Sequence, residues 1–339
     1  MEDDIGKYPP AELLTKARSA LDTCELGLAK AFIERALSLD DSSAEGYELL
    51  GQVAMEEGED EAAVGYLKKS VELSPESGYS KYMYLGQLHS ELQAIEYFTQ
   101  GVRLMQQELE GLEEGSAGRP ILARQISCAL VAMTEIYLTD CCFEENAESQ
   151  CEAFLAQAQS VDPSNAEVYQ TLASVRTSQS RSEEAKELLL HSLTLWSPTD
   201  TSDGAWIPSF HSRLGLVRLL LEMDMDDRTE EILASLVQED DEIVDVWYLW
   251  GFTYYRQAER AESEEERQEA LADAQECLNT AIGLYEKTGC EDTGILEHTQ
   301  EMLTHIQSLL PSTTNGMETE EQMGKADEWE TDEEAMGDE

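Results

Sequence analysis

A 34-residue beat restricts this chain more than any other feature. From Ala44 to Pro75, Tyr47 is followed three positions on by Leu50, with the small Gly51 beside it, and then by Ala63, Leu67 and Ser70. The same order returns from Asn165 to Ser197 as Tyr169, Leu172, Ala173, Ala185, Leu189 and Ser192, with Pro198 next to the closing position. Apolar residues three and four apart mark helices, so each copy reads as two helices joined by a turn. Gly51 or Ala173 lets the second helix cross close to the first, and Ala63 or Ala185 is its small partner there. One such pair cannot bury its own apolar face, so neighbours must stack on both sides.

This spacing is the tetratricopeptide pattern. Weaker copies extend it. Ala17, Ala29, Ile33 and Ala36 lie 34 residues before the Gly51 copy. Tyr82, Leu85 and Gly86 run into Ala94, Phe98 and Gly101 through a shortened turn, and the stretch Ala132 to Tyr137 runs into Cys151, Leu155 and Ala158 through a longer one. Leu214, Gly215, Leu233 and Leu236 make a sixth copy. Trp247, Trp250, Gly251, Tyr254, Ala274, Leu278 and Ala281 make a seventh, with a charged turn over Arg256 to Gln268. An amphipathic stretch from Gly294 to Leu310 has the spacing of a terminal cap. No sustained period-two alternation stands between turn signals. The chain therefore predicts an all-α, right-handed superhelical solenoid of about seven helix pairs plus a capping helix over residues 1–310, monomeric, followed by a disordered acidic tail over 311–339.

The net charge is −50. The tail holds eleven acidic residues against Lys325 alone, which accounts for −10 and leaves −40 on the repeat region. Such a field favours cationic partners and repels nucleic acid and anionic membranes. The sequence opens Met1-Glu2-Asp3-Asp4, unlike a signal peptide, and no run is expected to reach the ~18 apolar residues of a membrane span. Seven cysteines, several beside apolar residues on predicted helices, read as reduced, buried thiols. The expected setting is cytoplasmic and nuclear.

Nothing in the chain suggests catalysis, a cofactor or a metal. Cys141-Cys142 lacks the second pair a zinc site wants. His298 and His305 are two helical turns apart, and no phosphate-binding glycine motif occurs. The informative residues are those aimed at the concave face, where each repeat collects its second, fifth, ninth, twelfth and thirteenth positions. The Gly51 copy places Glu45, Glu48, Gln52, Met55 and Glu56 there, and Glu135 and Asp140 flank the matching helix of the fourth copy. A groove clamping an acidic peptide would need Lys, Arg and Asn. This one offers carboxylates and suits Lys and Arg. In the seventh copy Trp247, Trp250 and Tyr254 read as core, while Tyr248, Phe252 and Tyr255 point inward as a platform for cationic side chains.

Several blocks together resemble one family. They are Gly46-Tyr47-Glu48-Leu49-Leu50-Gly51, then Tyr82-Met83-Tyr84-Leu85-Gly86-Gln87-Leu88 with its short turn into Ala94-Ile95-Glu96-Tyr97-Phe98, then Glu135-Ile136-Tyr137-Leu138-Thr139-Asp140, Val246-Trp247-Tyr248-Leu249-Trp250-Gly251, and Glu328-Trp329-Glu330 in the tail. The chain resembles the fungal dedicated assembly chaperones of large-subunit ribosomal protein four. The resemblance implies an all-helical solenoid that captures the newly made ribosomal protein, shields its long basic internal loop and accompanies it to nuclear pre-ribosomes. The residues alone leave open an acidic histone chaperone or a scaffold linking two proteins.

Overall fold

The computed structural model describes residues 8–198 and 206–310; the tail expected over 311–339 lies outside them. Fifteen α-helices and one short 3-10 helix make up the described residues, and no strand occurs among them. The chain divides into two compact units at Ser235/Leu236. In the first, α1 (Pro10–Asp22) pairs with α2 (Leu26–Leu39), α3 (Ala44–Glu56) with α4 (Asp60–Leu73) and α5 (Ser80–Gln87) with α6 (Glu91–Gly111). The pairs α7 (Gly118–Leu138) with α8 (Ala147–Val161) and α9 (Ala166–Ser178) with α10 (Ser182–Thr194) follow, and then α11 (Phe210–Glu222). Helix α12 (Glu230–Glu239) spans the division. The second unit holds the hairpin α13 (Val244–Arg260) and α14 (Glu264–Thr288), with α15 (Thr293–Leu309) against both.

The close crossings fall where the small residues stand. A β-carbon on Gly51 would lie 2.6 Å from Leu67 Cγ, and one on Gly251 would lie 2.6 Å from Leu278 Cγ. Gly86 meets the Phe98 ring in the same way. Gly215 departs from the expectation, since nothing would crowd a side chain there. Counted from the Ser209 cap, the tight positions of α11 are Leu216 and Val217, both essentially buried, and Gly215 lies off that face.

The pattern also includes polar staples. Ser70 Oγ donates to the Ala44 carbonyl (2.8 Å) and Ser192 Oγ to the Ala166 carbonyl (3.1 Å), tying each second helix to the start of its partner. At the position of Tyr47, other copies bond a carbonyl in the preceding turn. Tyr82 reaches Pro75, Tyr169 reaches Pro163, Arg213 reaches Pro208 and Trp247 reaches Asp241, at 2.8–3.0 Å. A buried polar tip needs such a partner, which is why arginine and tryptophan can replace tyrosine here.

The turn inside a pair repeats as well. Cys24, Gly58, Ser180 and Asp224 occupy one register and all have positive φ, from 56° to 73°. The residue after each donates back to the carbonyl five positions earlier at 2.8 Å. The charged stretch of the seventh copy differs from its expected form. Helices α13 and α14 consume most of it, leaving a turn at 261–263, because Ser263 and Glu266 form a capping box that starts α14 early.

Helix α7 corrects the membrane-span expectation, since its 21 residues are long and apolar enough to cross a bilayer by length and composition. Packing accounts for that composition. Leu122, Ile126, Leu130, Met133 and Tyr137 belong to the core shared with α6, α8 and α9.

Candidate functional site

The first helices of successive pairs pack side by side in the first unit, α1 on α3, α3 on α5, α7 on α9 and α9 on α11. Their inward-turned residues form the candidate surface. Glu45, at the start of α3, receives Arg18 of α1 at 2.8 Å. One turn on, Glu48 is half-buried. Burial pushes its pKa above the ordinary carboxylate value, and the nearby Lys81 and Arg18 pull it only part of the way back. Gln52 is half-buried and Glu56 exposed on the same helix. Glu48 and Glu56 both reach Tyr84 of α5, whose hydroxyl is held above its usual pKa by burial and then by those carboxylates. Tyr79, at the N-cap of α5, donates to Gln125 Oε1 of α7 (3.1 Å). A cavity of about 400 Å³ opens between α5 and α7, lined by Tyr79, Met83, Tyr84, Gln125, Cys128 and Ala132 among others.

A second cavity of about 450 Å³ lies between α7, α9 and α11. Glu135 and Glu167 line it with Thr139, Thr171, Ser174, His211 and Arg218. The Glu135 side chain keeps access to solvent, but the surrounding walls thin its hydration and push its pKa up. The Glu167 charge adds to this and His211 opposes it. Glu167 is held in place, accepting from Ser212 Oγ (2.6 Å) and from the Ser209 backbone N–H (3.2 Å). Asp140 lies apart from these groups, exposed in the turn after α7 and outside the cavity lining.

Two stretches of carboxylate thus line the first unit, each partly desolvated and each raising the cost of its neighbour's charge. Such a surface gains when cations arrive. Cys128, between them, is no nucleophile, since burial and then Glu167 hold its thiol at about 11. Among the described residues no group of three His, Cys, Asp or Glu side chains could hold a metal ion.

The aromatic residues of α13 have a different setting. Tyr248 shares a 2.9 Å hydrogen bond with His298 Nδ1 of α15, and Tyr255 one of 2.5 Å with His305 Nδ1. Phe252 stacks on Tyr248 and meets the edge of His298. All three are half-buried against the core that α15 closes with Met302, Leu303 and Ile306. Trp247, Trp250 and Tyr254, expected in the core, form a half-buried stack along α13, and Tyr254 packs against the same core. The structure therefore gathers Glu45, Glu48, Gln52 and Glu56 on one helix, sets Glu135 beside Glu167, and leaves Tyr248, Phe252 and Tyr255 engaged with α15. Sequence reasoning passed over Glu167, Tyr84 and Gln125. Glu167 was reachable, because it stands at the second position of the copy that contains Ala173.

Comparison with known proteins follows the same lines. The tetratricopeptide repeat family model matches residues 44–77. The chain is 34% identical over 297 residues to a protein of Schizosaccharomyces pombe named probable assembly chaperone of rpl4, covering 85% of each chain. It is 31% identical over 322 residues to the Emericella nidulans protein of the same name, covering 87% of this chain and 80% of that one. A solved structure titled Assembly Chaperone of RpL4 (Acl4) superposes with a TM-score of 0.70 at 32% identity, over 75% of this chain and 98% of the other.

Proposed function

The chain belongs to the family of assembly chaperones of rpl4, and from that premise we propose that its first unit captures newly made large-subunit ribosomal protein four by a Lys/Arg-rich segment. The observation that carries this reading is the partly desolvated carboxylate surface of Glu48, Glu135 and Glu167. A ribosomal protein segment is basic because it will neutralise RNA phosphates. Free in the cell it would bind any RNA. Carboxylates lining the first helices occupy those cations until ribosomal RNA competes for them, and no nucleotide is needed for that exchange. Delivery follows the client, from the cytoplasm where it is made to nuclear pre-ribosomes.

Partial desolvation gives these carboxylates their advantage. A carboxylate in bulk water gains little from one more cation, whereas Glu48 and Glu135 are short of hydration before the client comes. Tyr79 and Tyr84 near Glu48 offer rings for guanidinium groups and lysine stems.

Affinity capture of the chaperone during translation, with sequencing of the associated messages, tests the proposal. Enrichment of the message for ribosomal protein four is the expected result. Enrichment of histone messages, or of none, would refute it.

A further inference from the structure

Lys81 is a cation with only 1% of its surface exposed, placed beside a surface otherwise rich in carboxylates. It stands on α5, and its Nζ donates to the carbonyls of Ser74 and Ser77 in the turn between α4 and α5. An ammonium has three N–H donors, so one remains after these two bonds. A β-carbon placed on Gly78 would lie 3.4 Å from Glu48 Oε2 and 3.8 Å from Lys81 Nζ. The carboxylate of α3 and the ammonium of α5 thus flank one glycine, in a space that any larger residue would enter.

We propose that Lys81 is a positioning residue, an internal counter-ion across Gly78 that favours the charged form of the Glu48 carboxylate on the inner face for an incoming client cation. This rests on the reading of that face as the client surface. The groups around Glu48 assign the role to Lys81. Arg18 of α1 also favours the charged form, but it is exposed and already paired with Glu45. Glu45, on the same helix as Glu48, opposes the charge. Ser80 of α5 lies near enough to favour it slightly. Tyr79 and Tyr84 of α5 also lie within electrostatic reach of Glu48. Burial is the largest influence against ionisation, and Lys81 is the largest influence for it. A buried charge keeps its effect in salt, whereas the exposed Arg18 is screened.

The two carbonyl bonds matter as much as the charge. They fix Nζ in the turn, so Lys81 does not swing out to meet other carboxylates. The pair therefore presents a negative group whose protonation state is set from within.

Nuclear magnetic resonance of the full chain with 13C-labelled glutamate side chains tests this, with Glu48→Gln identifying the Glu48 signal. In Lys81→Met the Glu48 midpoint should move to higher pH, while Lys81→Arg should stay near the parent. Affinity for a synthetic Lys/Arg-rich peptide should fall severalfold in Lys81→Met at mildly acidic pH and recover toward the parent value as pH rises. A purely structural role would lower affinity equally at every pH. If Lys81→Met loses its helical circular dichroism, Lys81→Gln retains an amide donor for the turn and carries the same comparison. An unmoved Glu48 midpoint overturns the proposal. Equal peptide binding by the parent and Glu48→Gln at all pH values removes the inner-face reading itself, whatever the titration shows.

Discussion

Helices α3 and α13 carry the same repeat register and use it in opposite ways. The fifth and ninth positions of α3 are Glu48 and Gln52, set among Lys81, Ser80 and Tyr84 on an accessible surface. Those of α13 are Tyr248 and Phe252, and α15 covers them with His298. Polar residues left at such positions stay on an accessible surface. Aromatic residues there make a seam for the terminal helix, with hydroxyl and imidazole satisfying each other at its edge. Register tells which way a side chain points, and the neighbouring helix decides what it is for.

Removal of α15 should have the largest effect on this contrast. Met302, Leu303 and Ile306 are almost fully buried against α13 and α14. At about 1.5–3 kcal/mol for each such side chain, a chain ending at Gly289 should lose about 5 kcal/mol or more. Differential scanning calorimetry should show the second unit melting early, and a chain ending at Leu310 is the control. The tail it lacks is too polar to build a core, so its melting temperature should match the parent. If the chain ending at Gly289 melts like the parent, the aromatic seam is not structural.

Charge reversal in the first unit comes next. Glu48→Lys combined with Glu135→Lys should weaken binding of a Lys/Arg-rich peptide by roughly tenfold per reversed charge, about 1.4 kcal/mol each. Titration calorimetry at low and high salt checks this, with the steepest loss at low salt. Unchanged affinity in both salts would make these carboxylates ordinary surface residues and erase the contrast. Tyr248→Phe and Tyr255→Phe give the reciprocal arm. Each loses one hydrogen bond to histidine, about 1 kcal/mol, so denaturant midpoints should fall while peptide affinity holds.

The smallest effect is the pH dependence of the free protein. The folded-state pKa values of Glu48 and Glu135 lie above the ordinary carboxylate value. The stabilisation from that proton uptake is complete below the ordinary value and is lost as pH rises through the folded one. At neutral pH, Glu48→Gln should therefore raise the melting temperature slightly while lowering client affinity. Affinity in the parent should weaken as pH falls toward the raised values, because protons then compete with the client cation. A melting temperature that drops in Glu48→Gln would mean that Lys81 overcompensates the burial.

Much of the fold was legible before any coordinates. Gly51, Gly86 and Gly251 marked real helix crossings because each stands four residues after the aromatic of its copy (Tyr47, Tyr82, Trp247), on the face that meets the second helix. Gly215 follows Leu214 in the sixth copy, but counting from the Ser209 cap puts Leu216 and Val217 at the crossing. The candidate site was legible where the register was clean, at Glu45, Glu48, Gln52 and Glu56. It was blurred in the fourth copy, whose long turn after α7 left Asp140 outside the cavity and hid the partnership of Glu135 with Glu167.

The chain's own spacing and charge determined that it is an array of helix pairs, that the pairs are tight at small residues, and that its surface is strongly acidic. Those properties follow from contacts that recur at fixed separation and from a sum over residues. Tertiary structure alone decided that Tyr248, Phe252 and Tyr255 pack on a cap, that Glu167 lies beside Glu135, and that Lys81 is buried in the turn near Glu48. Each depends on side chains brought together by stacking between repeats, and on how much water that stacking leaves around a charge. A linear pattern records which way a residue points, but not what it meets or how well it stays hydrated.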